Sequence, residues 1–486
     1  MIARIGNILG LLLLFLGVSE LVPILVAISH DEFSLIMPFF ISALFTIFIG
    51  GALFLSFQDL QENAGKHEII LFLVVLWGIL PLFAALPFMV TGFLTKLTDA
   101  YFEATSALTT TGSSVIATIE IMPRTLLFWR SLLQWEGGIL VFVLAVAILP
   151  MSNIGALNLF HSALPHGEGH GLRAKMKYAF MPLIKIYVLM TLICIFFLVI
   201  SGMNFFDAMN TAMATLSSGG FTNPGMMQEN GFGALGHMIL IPFMIFAATN
   251  LTFHWAFFSQ GRPAVYKNDP ELSYFLMILF VGFILIWIAL SLSSDFVNMG
   301  VLEKLEIASF TAVSSLSTTG FYPEEAGKLP LTIIVICVIM LFIGGTTGST
   351  AGGFKVLRVK LLMRHADREI NRLTHPNGVI PLRLDNSNIA PSTMMSIWTL
   401  LFIFLTFIAV ATIIYGILGL EFQTSLGLTI ANMFSAGGMT PLLSPDFIGY
   451  HSLANAGKWL TSAIMILGRL EIIIFLILFM PTYWKN

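Results

Sequence analysis

Four short clusters of hydroxyl residues and glycine are the stretches of this chain most suited to holding a ligand: LTTTGSS from 108, TLSSGGFTNP from 215, SLSTTGFYP from 315 and MFSAGGMTP from 433. None contains Asp or Glu, whereas calcium and magnesium sites recruit carboxylates. Glycine lets a backbone turn its carbonyls toward a common axis, and Thr and Ser add hydroxyl oxygens, a donor set suited to a dehydrated monovalent cation. With Gly112, Gly220, Gly320 and Gly438 taken as equivalent, the clusters are 108, 100 and 118 residues apart, the signature of a repeated unit. Close helix packing by small polar residues accounts for any one cluster, but not for four in register.

The elements that must position these clusters follow from hydropathy. Of 486 residues, 57% are hydrophobic and 10% charged, and the apolar blocks are too long for a soluble core, so the chain is a polytopic membrane protein. Apolar runs long enough to span lie near residues 6–28, 36–57, 69–92, 124–149, 182–201, 235–258, 272–293, 329–347, 393–415 and 458–480, ten in all. The first carries Glu20, lacks a small-residue cleavage site and leads into a second span, so it reads as a retained helix and not a signal peptide. Between spans, the stretches 99–108, 206–216, 302–316 and 421–434 lead into the four clusters. About 12 helical residues reach only about 18 Å, roughly half the apolar thickness. Each carries an acid near its start, Asp99, Asp207, Glu303 with Glu306, and Glu421, which suits the positive end of a helix dipole. The unit therefore reads span, half-helix, loop, span. Irregular backbone at that depth survives only when buried in protein or lining a water-filled path, so the loops should converge on one axis.

Lys and Arg collect on one side: Lys66, Arg173, Lys175, Lys177, Arg262, Lys267 and the series Lys355, Arg358, Lys360, Arg364, Arg368, Arg372 and Arg383. Asp31, Glu32, Glu229, Asp295, Glu324, Glu325 and Asp446 fall on the other. The N-terminus is then cytoplasmic. The basic run reads as positive-inside topology or anionic-lipid contact, not nucleic-acid binding. Cys194 and Cys337 lie inside spans and read as small apolar side chains. His161, His166 and His170 with Glu168 have spacings too loose for a metal site in a Gly- and Pro-bearing loop.

Two further features stand out. GGTTGSTAGG places glycine at 344, 348 and 352, a spacing that serves close helix packing; no G-K-[ST] closes a phosphate loop. Its hydroxyls Thr346, Thr347, Ser349 and Thr350 argue instead for a break in the helix. Arg469 sits inside the last apolar run, where a charge costs at least about 2.5–3.5 kcal/mol. Glu471, two residues on, cannot face it along one helix, which leaves a structural ion pair to another helix, such as Glu136, or a position facing the pore.

The four loops together with GGTTGSTAGGFKVLRVK (from 344), REINRLTHPNG (from 368) and ILGRLEIIIFLILFMPTYW (from 466) resemble the Trk/Ktr/HKT superfamily of potassium transporters, and within it the TrkH-type subunits, over essentially the whole chain. The resemblance implies an all-α integral membrane fold with four span/half-helix/loop/span pore repeats in pseudo-fourfold arrangement, plus two extra N-terminal transmembrane helices. The expected divisions are 1–58 for the extension, 59–160, 161–265, 266–385 with the intramembrane loop, and 386–486. It implies filter roles for Thr110, Thr111 and Gly112, for Ser218, Gly219 and Gly220, and for Thr318, Thr319 and Gly320. The fourth loop departs from the Gly-Pro-Gly often found in such relatives; Ala436, Gly437 and Gly438 stand there, with Gly437 or Gly438 as the equivalent glycine.

The same resemblance makes Gly344, Gly345, Thr346, Thr347, Gly348, Ser349, Thr350, Gly352 and Gly353 a gate below the filter, and Arg469 a barrier facing the pore. It implies a homodimer in the cytoplasmic (inner) membrane and a cytoplasmic nucleotide-binding regulatory ring of TrkA type, with NAD or ATP/ADP bound only on that partner. No cofactor is expected in this chain, K+ being the transported ion. With no nucleophile, acid–base pair or metal cluster the chain reads as a transporter, not an enzyme. The alternative is an ion-coupled secondary transporter (Na+ or H+ symport), which would favour inverted repeats and intramembrane carboxylates.

Overall fold

A computed structural model describes residues 2–57, 66–147, 172–224, 233–261, 263–267, 269–323, 329–375, 381–384 and 387–470. Within these the regular structure is helical apart from one antiparallel pair of two-residue strands, Arg383–Leu384 with Ser387–Asn388. Six helices are long and apolar enough to cross a membrane: Ile5–Ser29, Phe33–Ser56, Ile70–Val90, Phe180–Ile200, Pro270–Leu292 and Pro391–Ile417. Their outer faces stay exposed, with Leu25, Phe48, Phe196, Phe280 and Phe402 all more than half accessible. In a water-soluble protein that apolar surface would be a liability; here it is the face turned to lipid.

The first two spans form a hairpin that packs through glycine. A Cβ on Gly10 would strike the backbone of Phe54 and Gly50, and one on Gly50 would strike Leu14 and Gly10. Without a hydrophobic force between helices in lipid, this close backbone approach is what joins the pair. Glu20, wholly buried, accepts a hydrogen bond from Thr46 across it (3.0 Å).

Four short helices lie within the helical shell: Leu97–Leu108, Phe205–Leu216, Val301–Leu316 and Phe422–Met433. Three have 12 residues and one has 16, so three of them reach about 18 Å at 1.5 Å per residue, short of a crossing. Asp99, Asp207 and Glu303 sit in the first turns of the first three, and Glu421 is the N-cap residue of the fourth. The dipole expectation holds for these positions, but the acids also make specific contacts. Asp99 pairs with buried Lys458 at 2.7 Å, and Asp207 accepts from Asn223 at 2.6 Å.

Two expected spans are broken. The run expected at 235–258 is Gly233–Ala248 followed by Leu251–Gln260, bent by 101°. Asn250 explains the stop: its side chain accepts from the Thr252 backbone N–H at 2.9 Å and starts a new helix. The run expected at 329–347 ends as a helix at Ile343, because Gly344 takes a φ of +70°. Arg124–Ala147 is continuous, and Asn455–Leu470 is the described part of the last run. The remainder of that run with Glu471, and the cluster His161, Glu168, His166 and His170, lie outside the described residues.

Candidate ion-conduction site

Each short helix ends in the same backbone device. Thr110, Ser218, Thr318 and Ser435 take left-handed φ values of 51°, 55°, 53° and 55°. In each case the N–H of this residue returns to the carbonyl three before it, and the next N–H to the carbonyl five before: Thr110 to Ala107 and Thr111 to Ser106, Ser218 to Thr215 and Gly219 to Ala214, Thr318 to Ser315 and Thr319 to Ser314, Ser435 to Asn432 and Ala436 to Ala431. This is the Schellman ending of a helix, whose left-handed position normally belongs to glycine. A side chain there costs about 1–2 kcal/mol, and Thr is among the least tolerant types. Four repetitions of a strained choice where glycine is free of strain point to a use for the side chain.

Two residues on, Gly112, Gly220 and Gly320 again have positive φ, from 74° to 84°. The left-handed positions align Ser435 with Thr110, and therefore Gly437, not Gly438, with Gly112. Gly437 nevertheless lacks the positive φ of its counterparts and opens a short 3-10 turn, Gly437–Met439. Its N–H donates to the Thr111 carbonyl at 2.7 Å.

The loops touch in cyclic order. A Cβ on Gly112 would strike Gly219 O, one on Gly220 would strike Thr319 O, one on Gly320 would meet Ala436 and Gly438, and one on Gly437 would strike Ser113. A Cβ on Gly438 would also meet the Gly320 and Gly220 carbonyls. A Cβ has no room at Gly112, Gly220 or Gly437, whereas at Gly320 its nearest neighbours lie 3.4 Å or more away.

Side chains behind the loops hold them in place. Glu103 and Arg130, both fully buried, pair at 2.7 Å. Glu103 also accepts from Val115 N (3.0 Å) and Ser114 Oγ (3.1 Å), while Arg130 lies 3.9 Å over the Phe221 ring of the second loop. Gln134 donates to the Gly219 carbonyl at 2.7 Å. Asn432 accepts from Ser113 at 2.7 Å and donates to Tyr450 at 2.8 Å, which joins the fourth loop to the first.

Beneath the loops lies residues 344–353, buried and irregular. Gly344, Gly348 and Gly353 have positive φ, as does Lys355. The segment docks on the break at Ala248–Leu251: Thr346 N donates to Ala248 O (2.9 Å), Thr350 N to Ala247 O (3.2 Å), and Leu251 N to Gly348 O (3.2 Å). Two interrupted helices thus satisfy one another's backbone. Glu271 accepts from Thr347 N at 2.7 Å and from Leu357 N at 3.0 Å. A Cβ on Gly352 would strike Phe434 O, directly under the fourth loop.

Arg469 reaches this layer from the last helix. Gly468 abuts the Met433 carbonyl so closely that a Cβ would strike it, which sets the next side chain under the loops. The guanidinium donates to Thr109 O at 2.6 Å, Thr350 O at 2.8 Å and Thr110 Oγ1. It therefore joins the first loop to the intramembrane segment. The suggested partner Glu136 lines a cavity with Leu16 and Val18 of the N-terminal hairpin instead.

A sequence match to the TrkH family model, a cation transport protein family, covers residues 35–486. The chain belongs to that family. Relatives include the Trk system potassium uptake proteins TrkH of Halomonas elongata and of Escherichia coli K12, each 30% identical over 99% of this chain and 98% and 99% of their own lengths. TrkG of E. coli K12 is 30% identical over 98% of the chain and 97% of its own length. The crystal structure of the potassium transporter TrkH from Vibrio parahaemolyticus superposes with a TM-score of 0.89 at 29% identity, covering all of both chains. The family is a transport family and not an enzyme family, and the molecule is a multi-pass, all-helical membrane protein.

Within this family fold, the sequence-selected residues of all four loops, the 344–353 segment and Arg469 come together in one layered core. Sequence reasoning passed over Glu103, Arg130, Gln134, Asn250 and Glu271. Ionisable residues inside apolar stretches are a general signal of function, and it was available for Glu103 and Arg130. Glu271, at the edge of a span, gave no such signal.

Proposed function

We propose that this chain carries K+ inward across the cytoplasmic membrane, through a pore whose selectivity filter is the ring of loops at Thr110–Thr111–Gly112, Ser218–Gly219–Gly220, Thr318–Thr319–Gly320 and Ala436–Gly437–Gly438. The observation that carries the reading is the cyclic contact of four buried loops, each at the C-terminal end of a half-length helix. Each such end carries about half a negative charge, and four of them focused on one point favour a cation that has shed its water. Membrane potential supplies about 2.3 kcal/mol per charge per 100 mV, which drives entry with the N-terminus and the basic series on the cytoplasmic side. The potassium uptake activity in the names of the relatives supports the choice of ion.

Residues 344–353 act as the gate, and Arg469 as an electrostatic barrier below the filter. Thr350 and Gly352 lie directly beneath the loops, and the Arg469 guanidinium is hydrogen-bonded there. A cytoplasmic nucleotide-binding ring of TrkA type opens the gate from the face bearing the basic helix Val356–Thr374, and two copies of the chain assemble as a homodimer. On that helix Arg368 and Arg372 bracket Glu369, and the hydrogen bond from Arg368 holds its carboxyl below the usual range.

The test is flux and reversal potential in proteoliposomes holding the chain alone under opposed K+ and Na+ gradients, beside Gly320→Ser. A reversal potential near the K+ value that collapses in the variant supports the filter reading. If the variant keeps the same K+ preference, the loops are not the selective element.

A further inference from the structure

We propose that the side-chain hydroxyls of Thr110, Ser218 and Thr318 are a latch that clasps the intramembrane segment and Arg469 under the filter, so that closing the gate and setting the filter's lower rim are one event. The inference rests on the gate reading above and adds to it the residues that hold the gate shut.

The strained backbone raised the question of why these positions are not glycine. Glycine is used freely one or two residues on, so the choice of Thr and Ser at four equivalent left-handed positions is not a shortage of small residues. At three of the four, the hydroxyl supplies the answer. Thr318 Oγ1 accepts from the Gly352 backbone N–H at 2.6 Å. Ser218 Oγ and Thr350 Oγ1 lie 2.9 Å apart and share a hydrogen bond. Thr110 Oγ1 accepts from the Arg469 guanidinium, which donates in turn to Thr350 O. Three loops thus grip one short stretch, residues 350–352, directly or through one arginine.

The fourth position shows what the others would be without a partner. Ser435 Oγ is buried and meets no hydrogen-bond partner among the described residues, because the segment crosses beneath the fourth loop with a glycine: Gly352 lies against Phe434 O and the Ser435 Cβ. The segment offers the fourth loop packing, the second and third loops hydrogen bonds, and the first loop a link through Arg469. Since each hydroxyl belongs to a residue whose backbone forms the end of a filter helix, the segment cannot leave without changing the lower rim, and a shift of that rim loosens the segment.

Glycine substitution separates this role from folding. Ser218→Gly and Thr318→Gly suit the left-handed backbone better than the native residues, so the fold is retained while the hydroxyl is lost. The full-length chain in proteoliposomes, without any partner, is assayed for K+ flux as wild type, S218G, T318G, the double variant, T318S and a deletion of residues 346–350. Thermal melting checks the fold of each. With a net hydrogen bond worth about a fivefold change in population, basal flux rises roughly fivefold in each glycine variant and further in the double, and T318S, which keeps the hydroxyl, restores most of the closure lost in T318G.

Flux in the glycine variants that is unchanged or reduced while the deletion raises it overturns the latch and leaves the gate reading standing. A T318S flux as high as that of T318G overturns it too, since the hydroxyl is then irrelevant. If the deletion itself fails to raise flux, the latch and the gate reading fall together.

Discussion

Replacing Glu271 by Ala should free the intramembrane segment from the helix that starts at Pro270. Glu271 is 6% exposed, in the first turn of Pro270–Leu292, and one of its oxygens receives the backbone N–H of Thr347, the Thr347 hydroxyl and the backbone N–H of Leu357. Thr347 belongs to the segment, and Leu357 to the first turn of the helix that follows it, where the N–H has no helical acceptor. The carboxylate therefore ties the middle of the segment to the start of the helix that follows it. Removing it orphans two buried N–H groups at about 1–3 kcal/mol each, part of which is recovered when the loop shifts toward water. A net bias of about 2–4 kcal/mol against the closed arrangement corresponds to a roughly 30- to 700-fold shift in the closed-to-open ratio.

Two assays read this shift. Basal K+ flux in proteoliposomes should rise, and a cysteine placed at buried Ser349 should be labelled faster from the cytoplasmic side, against the low background of buried Cys194 and Cys337. Glu271→Gln, which keeps an acceptor oxygen without the charge, should fall between Ala and wild type. A folded E271A protein with wild-type flux and labelling would refute the reasoning, because the loop would then be held by something other than this carboxylate.

Deleting residues 346–350 should raise basal flux more than any single substitution in the segment, read in the same liposomes. Arg469→Ala removes three hydrogen bonds and the positive charge beneath the filter, and should raise single-channel conductance with a fold intact by circular dichroism; loss of folding alone would return Arg469 to a structural role. In the Glu103–Arg130 pair, Glu103→Gln or Arg130→Met alone leaves an uncompensated buried charge and should cost about 3–5 kcal/mol. The double variant should be less unstable than the sum of the two, as measured by chemical unfolding in detergent.

What could be read from the sequence followed from periodicity and from exclusion by the membrane. A lead-in of about 12 residues cannot cross, and hydroxyl–glycine clusters cannot stay irregular in lipid unless buried, so the half-helices and their loops were legible within two residues of their observed bounds. The residues implied for the 344–353 segment and for Arg469 also came together. The register of the fourth loop was not legible, because SAGG offers two glycines and only backbone dihedrals distinguish them; the left-handed Ser435 fixes it at Gly437. The 101° bend after Ala248 was hidden because its polar residues are few and lie inside a longer apolar run. The hydrogen-bond partners of Arg469 were hidden for a related reason. Charge suggested a carboxylate such as Glu136, but the guanidinium is satisfied by carbonyls that the segment and the first loop expose only because both are irregular.

That irregularity also sets what opening must involve. The segment cannot simply swing away, because its hydrogen bonds are shared with the break at Ala248–Leu251: Thr346 N and Thr350 N give up Ala248 O and Ala247 O, and Leu251 N gives up Gly348 O. Each of these groups needs water or a new partner once the segment moves, and an unsatisfied one costs several kcal/mol at membrane depth. Water entering the cavity below the filter can satisfy them, and the same water is needed to receive the ion. On the gate reading, entry of water below the loops, release of residues 350–352 from the loop hydroxyls and rearrangement of Ala248–Leu251 are therefore coupled steps. A perturbation at the break, such as Asn250→Ala, should then change basal flux although Asn250 belongs to neither the filter nor the 344–353 segment. Unchanged flux in a folded N250A protein would show that the segment moves independently of the break.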